Sequence, residues 1–432
     1  MAHQKRAVSF LDSNSGGPLF MEMRLGKTLT AIRYVKNHLL FPCLVISPYQ
    51  VINEWFNQLK DDEENHIISV IGTRQQRIEL LNSDARWFLS NYESASKLQL
   101  HAIHHWKAVI CDESVRIANP KAKITVYMLN NFKNVKCKIV LCGNPAPESE
   151  LQLTTQFIFC YGNFMGYRNY WGLRAREYVS VGYEWRAKPE FKTRLLEYVK
   201  RKAFVLSRKD AGMGNKKIYA VRKVKMNEEQ LKQIKGIKYD FEYGDKEVKM
   251  VLQQMVAYAY IAGGLSCEDG HKLINDAKIK ELINLLKGEL KGQKVLVWCK
   301  HRAEQIEIIK ALKDEKILHI MINGDVTPEE RAERKTNWET YDFVNVAVLT
   351  IRSASKGQNW SAADTAVYYS NEFSNDERSQ SEDRIESVQK AVPLLIIDLV
   401  SEGSIDEDVL GALKEKSFDA KLIMETYARR IR

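Results

Sequence analysis

The chain has no unbroken apolar stretch near the roughly 20 residues that a membrane-spanning helix requires. Its polar start, His3-Gln4-Lys5-Arg6, lacks the apolar region of a signal peptide, so no membrane association and a cytoplasmic location are expected. Cysteine pairing is missing as well. The seven cysteines form an odd set without a Cys-x-x-Cys arrangement, which argues against a zinc site or a disulfide framework. Cys43, Cys111, Cys142 and Cys299 lie in or beside apolar, strand-like runs and are expected to be reduced core residues. No low-complexity tract or internal repeat occurs beyond a coarse echo between the two halves, which leaves ordinary globular domains.

With 432 residues, 45% of them hydrophobic, the chain suits two or three domains, each with its own core. A formal charge of +10 and a pI near 9.0 favour a polyanionic partner, because clustered Lys and Arg release counterions from a phosphate backbone. Charge alone decides little, since the solvated surface of an unrelated basic enzyme has the same balance.

Near the N-terminus, Met21-Glu22-Met23-Arg24-Leu25-Gly26-Lys27-Thr28 has the ending of a phosphate-binding loop. Gly26 lets the backbone approach phosphates, Lys27 reaches the terminal ones, and Thr28 holds magnesium. The helix that opens behind them presents its positive end. The first glycine of the usual loop is absent, since Met21 stands there. A second element supports the reading: Lys107-Ala108-Val109-Ile110-Cys111-Asp112-Glu113 carries two carboxylates to the C-terminal end of an expected strand, where parallel sheets place their chemistry. Asp112 is the candidate for the magnesium shell and Glu113 for the base that takes a proton from attacking water. A nucleoside triphosphate and Mg2+ are the expected cofactors.

Short β-like runs alternate with helix-like segments at Leu44 to Ser47, Val109 to Cys111 and Ile139 to Cys142, the rhythm of a helix-covered parallel sheet. Residues 1–225 are expected to form a first lobe whose later part, Phe157 to Arg208, is basic and aromatic. That part is either ordinary packing or a DNA-facing surface. Residues 226–276 are expected to be a helical bridge, interrupted at Gly263-Gly264. Alternation resumes at Val295 to Trp298, Leu318 to Ile322, Val346 to Leu349, Val367 to Tyr369 and Leu394 to Ile397, so residues 277–432 are expected to be a second α/β lobe.

In order along the chain, these motifs resemble those of superfamily II helicases, most closely Swi/Snf-type DNA translocases in their compact phage and bacterial form. Gln4 resembles the adenine-reading glutamine. Leu44-Val45-Ile46-Ser47-Pro48 and Ser90-Asn91-Tyr92-Glu93 resemble strand-contacting motifs. Asp112-Glu113-Ser114 through Asn119-Pro120-Lys121 resembles the Asp-Glu motif with its trailing segment, and Gly143-Asn144-Pro145 a nucleotide-sensing element. Further on, Trp298-Cys299-Lys300-His301-Arg302, Asn323-Gly324, Ser353 to Asp364 and Gln380-Ser381-Glu382-Asp383-Arg384 resemble the second-lobe motifs.

The resemblance implies two tandem RecA-like α/β lobes and an ATPase that moves on double-stranded DNA, with single-stranded DNA as the alternative polymer, in a bacterial or phage-infected cell. It implies nucleotide contacts from Gln4, Gly26, Lys27, Thr28, Gly357, Gln380 and Arg384, with Arg384 as the arginine finger. Nucleic-acid contacts would come from Ser47, Pro48, Asn91, Tyr92, His301, Arg302, Gly324, Ser353 and Trp360. Two lobes of about 200 residues each leave no room for a targeting module, so a protein partner is expected to supply target choice.

Departures from the family pattern stand at Arg24, Val115, Asn144 and Ser387. Val115 cannot hydrogen-bond across the cleft, and Ser387 replaces a second arginine, which Arg378 is a candidate to replace. Two other readings therefore stay open: an ATP-responsive clamp with impaired hydrolysis, and an RNA helicase.

Overall fold

The computed structural model describes residues 1–147, 149–181, 184–213, 216–239, 247–266, 270–351, 359–372, 374–386 and 392–413. The chain divides into two compact units, one formed mainly by Met1–Met213 and the other by Gly214–Lys416. Among the described residues, no helix is long and apolar enough to cross a membrane.

The first unit is built on a seven-stranded sheet from β1 (Gly16–Met21), β2 (Cys43–Ser47), β3 (Ile67–Ser69), β4 (Trp87–Asn91), β5 (Ala108–Asp112), β6 (Cys137–Cys142) and β9 (Phe204–Leu206). Their order is β3-β4-β2-β5-β6-β1-β9. Every ladder in it is parallel. The central strands are mostly apolar and are buried along their whole length, the signature of a sheet covered on both faces. Two apolar layers flank it. One centres on Phe20, Phe88, Val109, Val140 and Phe157, the other on Leu19, Ile32, Val45, Trp55 and Ile110. Strand partners i and i+1 divide between these layers, as the period of two demands. A separate antiparallel hairpin, β7 (Tyr178–Val181) with β8 (Glu184–Ala187), lies between the helices Tyr170–Glu177 and Pro189–Lys202.

The second unit holds a six-stranded parallel sheet of β10 (Lys217–Val224), β11 (Val295–Cys299), β12 (His319–Ile322), β13 (Val346–Thr350), β14 (Thr365–Tyr368) and β15 (Leu394–Ser401). Their order is β10-β15-β14-β11-β13-β12. β10 falls in residues expected with the first lobe, yet it pairs along its full length with β15, from Lys217↔Leu394 to Val224↔Ser401. Its alternation of half-buried and exposed residues fits an edge strand and gave no apolar run to read.

The helices Glu228–Tyr239 and Glu247–Ala262 follow. The second ends at Gly263-Gly264, where Gly264 has φ 88° and a Cβ would meet the carbonyl oxygen of Asn275 at 2.2 Å, so only glycine fits. Tyr369 and Ser401 donate their hydroxyls to the carbonyls of Gly263 and Ala262, at 2.7 Å each. These bonds fasten the helix end to the second sheet.

Candidate active site

The phosphate-loop segment runs from the end of β1 into the helix Lys27–Asn37. Gly26 caps that helix at φ 76°, and a Cβ there would stand 2.1 Å from Nε2 of Gln4. The first helix, Ala2–Asn14, therefore sets Gln4 directly against Gly26, while Nε2 of the buried His3 lies 3.1 Å from the Leu25 carbonyl. At the loop's other end, Glu22 takes the Arg208 amide at 2.8 Å and donates its own amide to Leu206 at 3.0 Å. Arg208 adds an ion pair at 3.4 Å. Lys27 donates from Nζ to the carbonyls of Met21 at 2.8 Å and Glu22 at 3.3 Å. A cation on the loop's own carbonyls, beside a helix N-terminus and a glycine without room for a side chain, is a donor set that fits a triphosphate.

Asp112 ends β5 and is buried. Its Oδ2 accepts from Nε1 of Trp55 at 2.8 Å, and its Oδ1 accepts the Glu113 amide at 2.9 Å. Burial raises its carboxyl above the usual range, while Trp55, the nearby Lys27 charge and the Glu113 amide pull against that rise. A bound cation would favour the ionised form further, so this carboxylate suits a magnesium shell. Glu113 sits at φ 49°, the left-handed region that costs a non-glycine residue of order 1 kcal/mol or more, and it is half-buried.

A polar chain ties this strand end to its neighbours. Tyr92 donates to the Asp112 carbonyl at 2.6 Å. Ser114 donates to Oε1 of Gln156 at 2.6 Å, and Nε2 of Gln156 donates to the Pro145 carbonyl at 2.7 Å and the Gln152 carbonyl at 2.9 Å. Gln156 thus bridges the Asp-Glu segment and Gly143-Asn144-Pro145. A Cβ on Gly143 would lie 3.7 Å from Lys27 Nζ, so these segments meet at the lysine. Neither Trp55 nor Gln156 stood out in the sequence as a polar contributor. Val115 packs against the apolar layer, as its side chain requires.

The remaining first-unit candidates point inward. Ser47 and Pro48 are buried, with Ser47 donating to the Pro48 carbonyl at 3.2 Å. Asn91 caps the helix Tyr92–Lys97 by accepting the Ser94 amide, and Tyr92 is buried on Asp112. Their side chains serve the fold at the C-terminal ends of β2 and β4.

In the second unit, His301 caps the helix Arg302–Asp314 and stacks on Tyr260 at 4.0 Å. Arg302 pairs with Asp325 on the surface. Asn323 is held by Gln305 and by the Asp325 amide, and Gly324 beside it opens onto free space. Arg384 follows the helix Asn375–Asp383, and its carbonyl accepts the Trp360 amide at 2.9 Å. Gln380 lies within the same helix. Ser353, Gly357 and Ser387 lie outside the described residues.

Two expectations are corrected here. Trp360 has 0% of its surface exposed and packs edge-on against Trp338 at 5.4 Å, so its ring is core and offers nothing to nucleic acid. Arg378 cannot stand in for a second arginine finger. It is buried over the Tyr368 ring, donates to Asp398 at 2.6 and 3.1 Å and to Glu382 at 2.7 Å, and also pairs with Asn371. Burial opposes its charge, and Asp398 overrides that opposition and holds the guanidinium well above its usual range. Lys217 joins the same network through Glu382 at 3.1 Å, Asp383 at 3.4 Å and Glu386 at 2.9 Å.

A family model described as the SNF2-related domain matches residues 3–258, and one described as the helicase conserved C-terminal domain matches residues 277–388. A Xenopus laevis relative, SWI/SNF-related matrix-associated actin-dependent regulator of chromatin subfamily A-like protein 1, is 24% identical over 441 residues, covering 96% of this chain and 43% of its own. The ISWI chromatin-remodeling complex ATPase ISW1 of Saccharomyces cerevisiae is 24% identical over 456 residues, covering 95% of this chain and 39% of its own. The chain spans less than half the length of either. Among solved structures, the Sulfolobus solfataricus SWI2/SNF2 ATPase core in complex with dsDNA is similar over 99% of this chain and 93% of its own, with 19% identity and a TM-score of 0.45. The matched family segments span both parallel-sheet units, and the chain belongs to the SNF2-related family of tandem RecA-like, superfamily II proteins.

Proposed function

We propose that the chain is a nucleic-acid-stimulated ATPase that translocates on double-stranded DNA. The observation that carries this reading is the meeting of Lys27, Asp112 and Gly143 at the C-terminal edge of one parallel sheet, in a family whose yeast relative is named an ATPase. Lys27 would leave its loop carbonyls for the terminal phosphates. Magnesium, held through Thr28 and Asp112, would supply charge neutralisation at the phosphate oxygens. Glu113 takes the proton of the attacking water, and Arg384 is the proposed cation for charge that develops during transfer. Gripping the sugar-phosphate backbone makes binding sequence-independent and salt-sensitive. A protein partner is proposed to choose the target.

The test is ATP turnover without nucleic acid and with single-stranded DNA, duplex DNA or RNA. Stimulation by the duplex is expected; RNA-selective stimulation overturns the DNA reading. A second reading, an ATP-responsive clamp that hardly hydrolyses, is favoured by Val115 packed against the core and by the commitment of Arg378 to Asp398. Absence of turnover in every tube, with ATP still bound, establishes that reading instead.

A further inference from the structure

We propose that the first unit carries a stacking platform for unpaired nucleobases, built from Trp171, Arg174 and Trp185. The proposal deepens the nucleic-acid reading above, and its test needs no ATP hydrolysis. The helix Tyr170–Glu177 starts at Asn169, whose side chain accepts the Gly172 amide at 2.8 Å. The hairpin β7–β8 stands next to it. Its inner end, Tyr178↔Ala187, is buried in the core. Two residues outward on the same face, Ser180↔Trp185 brings an indole over that helix. There the Arg174 guanidinium lies 4.7 Å from the Trp171 ring and 4.3 Å from the Trp185 ring. Lys121, from the segment that trails Asp112-Glu113, approaches Trp171 to 5.7 Å.

Both indoles remain open, Trp171 at 42% and Trp185 at 38% of their surface. The two open indoles share one guanidinium and so form a single aromatic surface, the kind that marks an interaction site. The guanidinium between them fixes their orientation in advance, which lowers the ordering cost of a ligand.

Charge selects the ligand class. Residues 164–202 contain ten Lys and Arg against four Glu and no Asp, and Glu177 among those four is paired with Arg194 and Tyr167. A polyanion is therefore favoured. A duplex turns its base faces inward and would meet these rings with sugar and phosphate only. A single strand offers base faces to the indoles and phosphates to Lys121 and Arg174, the combination used for unpaired nucleic acid.

The experiment uses the full chain without nucleotide. Binding of a fluorescein-labelled oligothymidylate and of a blunt duplex of equal length is followed by anisotropy at fixed salt. Trp171→Ala and Trp185→Ala are expected to weaken single-strand binding on the order of ten- to a hundredfold each. Trp171→Tyr and Trp185→Tyr keep most of it, and duplex binding changes by no more than about twofold in all four. Three results overturn the proposal: no single-strand binding by the unsubstituted protein, unchanged affinity in the alanine variants, or equal losses on both DNA forms. The last reduces the patch to phosphate contact. Selective single-strand loss in a protein with no ATP turnover upholds the platform while removing the ATPase reading.

Discussion

The indole Nε1 of Trp55 donates to Oδ2 of Asp112 at 2.8 Å, both side chains being buried and 57 residues apart in sequence. This bond orients the carboxylate at the end of β5 and favours its ionised form against burial. Trp55 is thus a positioning residue for the proposed magnesium shell.

Trp55→Phe keeps the ring's bulk and removes the donor. Loss of a donor to a buried carboxylate costs about 1–3 kcal/mol. The Asp112 carboxyl should rise further, so the acidic limb of the pH profile for ATP turnover moves to higher pH. Magnesium titrations should show a half-maximal concentration raised several-fold. A variant that loses stability but keeps the same pH limb and magnesium requirement would reduce Trp55 to packing.

Glu113→Gln retains size and loses the base, so ATP binding should persist while turnover falls by about two or more orders of magnitude. Arg384→Ala should slow turnover far more than it weakens ATP binding. Equal loss of both would limit Arg384 to holding the nucleotide.

Gln156→Leu removes the bridge between Ser114 and Pro145 and leaves two buried polar groups without their partner. Urea titration should record a loss of about 1–3 kcal/mol. DNA-stimulated turnover should fall, with ATP affinity unchanged, because the Asp-Glu segment is no longer tied to Gly143-Asn144-Pro145.

Arg378→Met leaves buried Asp398 without a cation and holding only the Asn371 amide, and leaves Glu382 to Lys217 and Tyr219. Breaking a buried pair from one side costs about 3–5 kcal/mol, to be read by denaturant unfolding of the full chain. Turnover per folded molecule should stay within about twofold. A large loss of turnover at full stability would return Arg378 to the nucleotide.

Acid sensitivity of the second unit follows from Glu382. Burial alone would raise its carboxyl, but Lys217 and Arg378 outweigh burial and hold it at about 2, below the ordinary 4.5. A depressed folded-state value gives stability that is complete above about 4.5 and is lost as pH falls toward 2. The shift corresponds to something on the order of 3 kcal/mol. Unfolding midpoints should drop through that window, and Glu382→Gln should flatten the drop while lowering stability at neutral pH.

Much of this was legible before any coordinates, and the reason differs by element. Buried parallel strands are continuous apolar runs, so β2, β5, β6, β11, β13 and β15 were visible to within a few residues. Lys27 and Asp112 were legible because their chemistry fixes their place at a helix start and a strand end. The bond from Trp55 to Asp112 and the bridging role of Gln156 were not, since an indole within the amphipathic helix Ile52–Asp61 and an amide in the apolar helix Leu153–Tyr161 show no polar role until their distant partners are known. Arg378 misled for the converse reason: a cation in a polar helix looks solvated, and only the fold brings Asp398 beneath it. Trp360 was assigned by motif, yet its ring is held in the core beside Trp338.

The pairing of β10 with β15 sets a schedule for biosynthesis. Lys217–Val224 leaves the ribosome about 170 residues before Leu394–Ser401, its ladder partner among the described residues. During that interval its backbone donors and acceptors are an open edge of the kind that recruits foreign strands. A nascent chain arrested before Leu394 should therefore be a chaperone client, and release from that dependence should coincide with the emergence of β15.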